Sequence, residues 1–239
     1  MPAFLHIPRS QRGYARNVTE TLPMFPLNTV LFPGISVPLK VFEDRYRALV
    51  HQLLRIEDPA ERLFGSVAIR EGYEVGERGG QSLHRIGCVL QLTDVESHSD
   101  GTFDIIAVGR GRLRLGSLDN SGPFLAGTVD LLPDDAENVD QIIADQAMAT
   151  FEIYRERLSE IHGEEVLEGD LPRDPTYLSW SLAATCLLTL RDRQALLEAD
   201  DAHIRLAMVT GMLHEELRAM AAIPSLPAID VARSGWSPN

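Results

Sequence analysis

The stretch LPMFPLNTVLFPGISVPLKVFEDRY, residues 22–46, decides how the whole chain is read. It sets Pro23, Pro26, Pro33 and Pro38 among strongly apolar residues, then turns abruptly polar at FEDRY. Proline fixes φ and lacks an N–H, so it belongs at strand starts, edges and turns. Pro33-Gly34 is a turn signal, the proline presetting the first central residue and the glycine supplying positive φ at the second. The flanks PMF and ISVPLKV therefore read as short strands. They are joined by a buried, wrapping loop through Leu27, Val30, Leu31 and Phe32. Beyond Phe42 the period changes: Tyr46, Leu49, Val50, Leu53 and Leu54 fall at helical spacing. That predicts a helix over 43–55, starting near Glu43 or Asp44, with acids in its first turn that suit the helix dipole.

From residue 62 the pattern is strand. RLFGSVAIR alternates, EGYEVGERGGQ is a glycine-rich connection, and HRIGCVLQLTDVES is a long strand candidate. Asp100-Gly101 marks a hairpin turn. FDIIAVGRGRLRLGSL and FLAGTVDLL follow, with DNSGP between them as another turn. Short strands divided by turn signals predict a small antiparallel barrel or sandwich. Gly109, Gly111 and Gly116 inside strand-like sequence predict the bulges or corners that a closing barrel needs.

At PDDAENVD, residues 133–140, the β signals stop. Ile143, Ala147, Phe151, Tyr154, Leu158 and Ile161 follow helical spacing. Asp174 before Pro175 predicts an N-cap with proline at the first helical position. TYLSWSLAATCLLTL is apolar nearly all round, so its helix is expected to be buried, and RDRQALLEA and DDAHIRLAMVTGMLHEELRAM continue as helices. The resulting layout is an N-terminal extension (1–19), a barrel (20–132), a helical bundle (138–221) and a loose proline- and serine-rich tail (222–239).

The 239 residues are 44% hydrophobic and 24% charged, an ordinary core-forming composition. No apolar run spans a bilayer and the N-terminus lacks a secretory pattern, so a cytoplasmic location without membrane attachment is expected. Cys88 and Cys186 stand in unrelated contexts and read as buried, inert thiols. The formal charge is −13, from 35 acids against 22 basic residues. Such a surface disfavours a nucleic-acid partner. A single lysine, Lys40, stands among those basic residues.

The segment LPMFPLNTVLFPGISVPLKVFEDRYRALV resembles the entry of the Lon protease N-terminal, substrate-binding domain. LFGSVAI, VGERGGQSLHRIGCVLQL, DGTFDIIAVGRGRLRL, FLAGTVDLL and the closing LSWSLAATCLLTLRDRQALLEADDAHIRLAMVTGMLHEELRAM fall in that family's order, so the likeness covers residues 20–221. One departure is Arg193-Gln194, where the family usually has Lys-Gln. The resemblance implies an α+β fold: an N-terminal PUA-like antiparallel β-barrel followed by a C-terminal α-helical bundle. It also implies recognition of polypeptide. Pro26, Leu27, Phe32, Pro33, Gly34, Pro38, Phe42, Glu43, Arg45 and Tyr46 carry the signature and are expected to be structural.

Catalysis is not expected. A phosphate-binding loop needs Gly-Lys-Ser/Thr, and a serine-lysine dyad needs a lysine of depressed pKa beside its serine. Lys40, in PLKVF, is the sole candidate for either and reads as a solvent-facing strand residue. The full protease adds ATPase and peptidase modules, and this chain is expected to stop where they would begin. The seven histidines show no metal-ligand spacing, HEELR lacks the second histidine of H-E-x-x-H, and no G-x-S-x-G is present. Hence no cofactor and no metal are expected. Arg110, Arg112 and Arg114 in GRGRLRL fall on one strand face by alternation, either as an anion or partner contact or as a solvated face. Met208 and Met212, on the last helix, and Leu31 and Phe32, in the proline-rich loop, are candidate polypeptide contacts. The expected function is a non-catalytic domain that holds polypeptide or a partner protein in a groove between barrel and bundle. The alternatives are an adaptor for a separate ATP-dependent protease, a PUA-like RNA-binding module, or an enzyme using the barrel cleft. Sequence does not set the oligomeric state.

Overall fold

Strand β1 (Thr19–Pro23) opens the first half of the chain. It is followed by β2 (Ser36–Val41), helix α1 (Asp44–Leu54), a short 3-10 turn at Pro59–Glu61, β3 (Leu63–Ser66), β4 (Ile86–Ser97), β5 (Phe103–Asp119) and β6 (Ala126–Leu132). Helices α2 (Gln141–His162), α3 (Pro175–Thr185), α4 (Leu190–Glu198) and α5 (Ala202–Ala222) make up the second half. The fold is therefore α+β, seen in a computed structural model that describes residues 19–70, 83–133, 139–167 and 169–222. Residues 1–18 of the N-terminal extension, the EGYEVGERGGQ connection, most of PDDAENVD and residues 223–239 of the tail lie outside the described residues.

The strands run in the order β1-β6-β5-β4-β3, each pair antiparallel. The chain leaving β1 closes the ring. Phe25 N–H donates to Gly65 O at 2.7 Å, Leu27 N–H to Val67 O at 3.1 Å, and Ile69 N–H to Leu27 O at 2.9 Å. PMF is thus not a strand in its own right: β1 ends at Pro23, and Met24 and Leu27 form isolated parallel bridges to Gly65 and Ala68. The 17-residue β5 is long enough to serve two neighbours along one edge. Residues 103–108 pair with β2 and residues 112–119 with β6. Inside the ring pack Leu22, Met24, Val67, Val89, Leu113, Leu115 and Val129. α1 buries Tyr46, Leu49, Val50 and Leu53 against Phe64, Leu90, Leu92, Phe103 and Ile105. Each such side chain contributes about 1.5–3 kcal/mol by leaving water.

Bulges appear where the strand glycines predict them. The β4–β5 register slips between Val89 and Leu90, leaving Arg110 opposite no residue, and the β5–β6 register slips past Gly116 and Ser117. Gly109 must be glycine because the loop after β1 crosses it. A Cβ there would meet Phe32 O at 2.1 Å. Gly34, at φ +78°, makes the turn that lets Gly34 N–H donate to Gly109 O at 2.9 Å.

In the helical half, Asp174 Oδ1 accepts the N–H groups of Thr176 and Tyr177, with Pro175 as the first helical residue of α3. Trp180, Leu182 and Ala183 of α3 are buried with Phe151, Tyr154 and Leu158 of α2 and Leu206, Val209 and Leu213 of α5. The same core takes in Val30, Phe32 and Ala68 from the barrel side, so hydrophobic packing is continuous across the two halves.

Candidate polypeptide-binding surface

The groove expected between barrel and bundle is filled. Phe32, from the proline-rich loop, meets Trp180 of α3 at 5.9 Å between ring centroids. Arg112 leaves β5 and reaches the end of α4, where Nη1 donates to Ala199 O at 2.6 Å and Leu197 O at 3.3 Å. Its Nη2 donates to Asp200 O at 3.0 Å and Pro133 O at 3.2 Å. Arg193 of α4 spans the junction in the other direction. It donates to Val30 O and Ala184 O, both at 3.2 Å, with its guanidinium 5.2 Å from the Phe32 ring centroid. Gln194 Nε2 donates to Ile86 O at 3.0 Å. Arg205 of α5, fully buried, lies over the Trp180 ring, 3.1 Å from its centroid, and donates from Nε to Ser179 Oγ at 2.8 Å. Guanidiniums suit this place because their planar forks saturate converging carbonyls while their faces lie on rings.

Two sequence expectations are corrected here. Phe32 is 1% exposed, so it cannot touch a bound chain; it anchors the bundle instead. Arg110, Arg112 and Arg114 do not form a row. Simple alternation breaks at the bulge, where Arg110 Nε donates to Gln91 Oε1 at 2.7 Å; Arg112 is buried at the junction; Arg114 alone of the three is exposed. Leu31, Met208 and Met212 are half-buried, the methionines packed against the larger core. Near them, at the C-terminal end of α5, His214, Leu217, Arg218 and Ala221 line a shallow depression of about 440 Å³.

Several other signature residues pack on one another where β2 gives way to α1. Tyr46 stacks on Phe25 at 3.9 Å between centroids, Arg45 covers the Tyr46 ring at 4.5 Å, and Glu43 pairs with Arg45 at 2.8 Å. Burial pushes the Tyr46 phenol above its usual range, with Arg45 pulling it back. Pro33 is buried in the turn, Pro26 and Leu27 sit where the ring closes, and Pro38 and Phe42 are exposed on or beside β2.

β2 offers what the junction does not. Among the described residues it pairs with β5 alone, leaving its second edge without a strand. Gly109 N–H donates to Ile35 O, so the 35/109 pair is hydrogen-bonded. In an antiparallel ladder that state alternates, and Val37, Leu39 and Val41 follow it with Ala107, Ile105 and Phe103. The backbone groups of Ser36, Pro38 and Lys40 therefore point away from β5. Pro38 has no N–H to lose at such a position, which explains how it sits inside a strand. Their side chains are exposed on the outer face of the barrel. Phe42 continues that face at 49% exposure, and Ile106, opposite Pro38, is 39% exposed.

Beside Phe42 lies an opening of about 390 Å³ lined by Lys40, Phe42, His98, Asp100, Thr102 and Asp104. Its acids are committed within it. His98 Nε2 and Asp104 Oδ2 are 2.9 Å apart, and Asp100 accepts the N–H and hydroxyl of Thr102, bonds that hold its carboxyl below the usual range. The Lys40 ammonium has no ion-pair or hydrogen-bond partner among the described residues. No three histidine, cysteine or acidic side chains converge as metal ligands among the described residues. Cys88 and Cys186 are buried, and burial pushes both thiols up to about 12. No described helix is long and apolar enough to cross a membrane.

A six-stranded antiparallel sheet rolled against one helix and followed by a four-helix unit defines the structural class. The model of the ATP-dependent protease La (LON) substrate-binding domain matches residues 21–215, and the chain belongs to that family. It is 28% identical over 214 residues to the Lon protease of Porphyromonas gingivalis, which covers 85% of this chain and 24% of that protein. It is 26% identical over 199 residues to the Lon protease of Escherichia coli strain K12, covering 82% and 25%. The chain thus spans about a quarter of the length of the Lon proteases it matches. Among solved structures, a Lon N-terminal domain protein from Xanthomonas campestris superposes with a TM-score of 0.59 at 26% identity, over 80% of this chain and 98% of that one. The N-terminal domain of the Lon protease from Mycobacterium avium complex gives 0.57 at 18% identity, a likeness of fold.

Proposed function

We propose that this chain binds extended, unfolded polypeptide without acting on it chemically, and that the segment bound adds as a strand to the outer edge of β2. The family match supports a substrate-binding role. The observation that carries the choice of surface is the second edge of β2, which no strand pairs among the described residues, flanked by the exposed Pro38, Phe42 and Ile106. Main-chain hydrogen bonds supply affinity for any extended segment, and alternate side chains meet the apolar outer face. The barrel–bundle junction is already packed, and the face carrying Met208 and Met212 offers side chains but no backbone groups. Within these 239 residues Lys40 is the one lysine, and it stands on the strand edge rather than beside a nucleophile or in a glycine loop.

A reduced, chemically unfolded model protein tests the reading in a pull-down. The expected result is capture that an excess of an extended peptide displaces. The same peptide N-methylated at alternate backbone positions should not displace it. Absence of any affinity for unfolded protein overturns the function; equal competition by the N-methylated peptide overturns the strand-edge mode.

A further inference from the structure

We infer that the β2 edge selects polypeptide segments reading apolar-x-acid-x-apolar, with the acid opposite Lys40; this rests on the strand-addition mode proposed above. Directly opposed side chains on one sheet face are the pairs that interact, and a segment added to β2 has Phe42, Lys40 and Pro38 as its neighbours on the outer face. The two exposed apolar residues stand two positions either side of the lysine, so they ask for apolar partners at the matching spacing. Lys40 is the charge that decides the centre. Its ammonium is unpartnered among the described residues, whereas Asp104, directly opposite it on β5, is bonded to His98.

Distance favours Lys40 over the acids behind it. A segment beyond β2 is about 4.8 Å from the Lys40 row but about 10 Å from the Asp104 row, given the spacing of adjacent strands. At physiological salt the latter exceeds the screening length of about 8 Å. Glu96, one strand further on, is more remote still. A lysine on an edge strand also disfavours a segment with a basic residue opposite it, so the edge is selective rather than generally adhesive. Pro38 adds to this, because it offers an acceptor and no donor at the middle of the edge.

The probes are three fluorescent peptides, Thr-Val-Thr-X-Thr-Leu-Thr with X as Glu, Gln or Lys, titrated into the full chain and into its Lys40→Glu variant. With the wild-type chain the Glu peptide should bind about fivefold more tightly than the Gln peptide, the size of a favourable cross-strand pair, and the Lys peptide most weakly. Lys40→Glu should reverse the order, the Lys peptide then binding most tightly and the Glu peptide most weakly, at a small cost in thermal midpoint because the new carboxylate faces Asp104. Equal binding of all three peptides by both proteins overturns the charge selection and leaves strand addition standing. No binding of any peptide by a chain that still captures unfolded protein overturns the β2 edge as the site. No binding of either overturns the proposed function itself.

Discussion

Arg112 of β5 donates from Nη1 to the carbonyl oxygen of Ala199 at 2.6 Å, across 87 residues of chain. Through Arg112 the barrel strand caps the end of α4, and the carbonyls of Leu197, Asp200 and Pro133 converge on the same guanidinium. Arg193 and Gln194 return the contact from α4 to Val30 and Ile86. The two halves are joined by polar bolts set in an apolar contact between Phe32 and Trp180, so they are expected to unfold together.

Replacing Arg112 tests that joint. Arg112→Met leaves buried carbonyls without donors, and unsatisfied groups of this kind cost about 1–3 kcal/mol each. The variant should lose about 3 kcal/mol in urea unfolding and show separate transitions for near-ultraviolet signals of barrel and bundle. Arg112→Lys should recover only part of this, because an ammonium cannot span several acceptors. A loss under about 1 kcal/mol would contradict the assigned role.

Two glycines on one strand should behave oppositely. A Cβ at Gly109 meets Phe32 O at 2.1 Å, whereas one at Gly111 meets nothing within 4 Å. Gly109→Ala should destabilise by more than about 2 kcal/mol, since the obstruction is backbone. Gly111→Ala should stay within about 0.5 kcal/mol of wild type. Thermal denaturation of the pair checks both. Equal effects would show that the loop at Phe32 does not press on the strand.

The opening proline-rich stretch made much of the fold legible. Pro33-Gly34 forms the turn, the helix starts at Asp44, and two register slips fall beside strand glycines, while a third, between Leu92 and Asp94, does not. These features are local, set by φ restriction and side-chain period. What sequence did not convey depends on contacts between distant segments. Phe32 looks like a surface anchor until Trp180, 148 residues on, is seen to cover it. GRGRLRL looks like a row of charges because alternation assumes a regular strand, and the bulge at Arg110 removes that regularity. The edge of β2 was half visible. Pro38 inside an alternating run signals an edge strand, but the unpaired side, and Lys40 upon it, needed the pairing register. Arg193-Gln194 gave a hint of the junction, for the pair stands at a family position and both side chains reach the barrel.

Glu216 makes a pH prediction. Burial raises its pKa above the ordinary value of 4.5, with Asp192 and Glu215 adding to the effect. A carboxyl whose folded-state pKa is raised favours the native state below its unfolded pKa and loses that contribution as pH rises through the folded value. Glu216→Gln should therefore raise the thermal midpoint at pH 7, and the gain should shrink as pH falls towards 4.5. A gain that instead grows on acidification would reverse the assigned cause.

The thiols should be silent in the native protein. With Cys88 and Cys186 buried and each pushed up to about 12, thiolate is scarce and inaccessible at pH 8. An aromatic disulfide reagent should label neither thiol before unfolding and both in guanidinium chloride. Rapid native labelling would mean that the barrel or the bundle opens locally.

Amide hydrogen exchange resolved to single residues, with and without saturating extended polypeptide, tests the central claim most directly. Strand addition to the barrel predicts that the N–H groups of Ser36 and Lys40, which point away from β5, become strongly protected on binding, while Val37, Leu39 and Val41, already paired, change little. Protection confined to the Met208–Met212 face of α5, with Ser36 and Lys40 exchanging as fast as before, would contradict it.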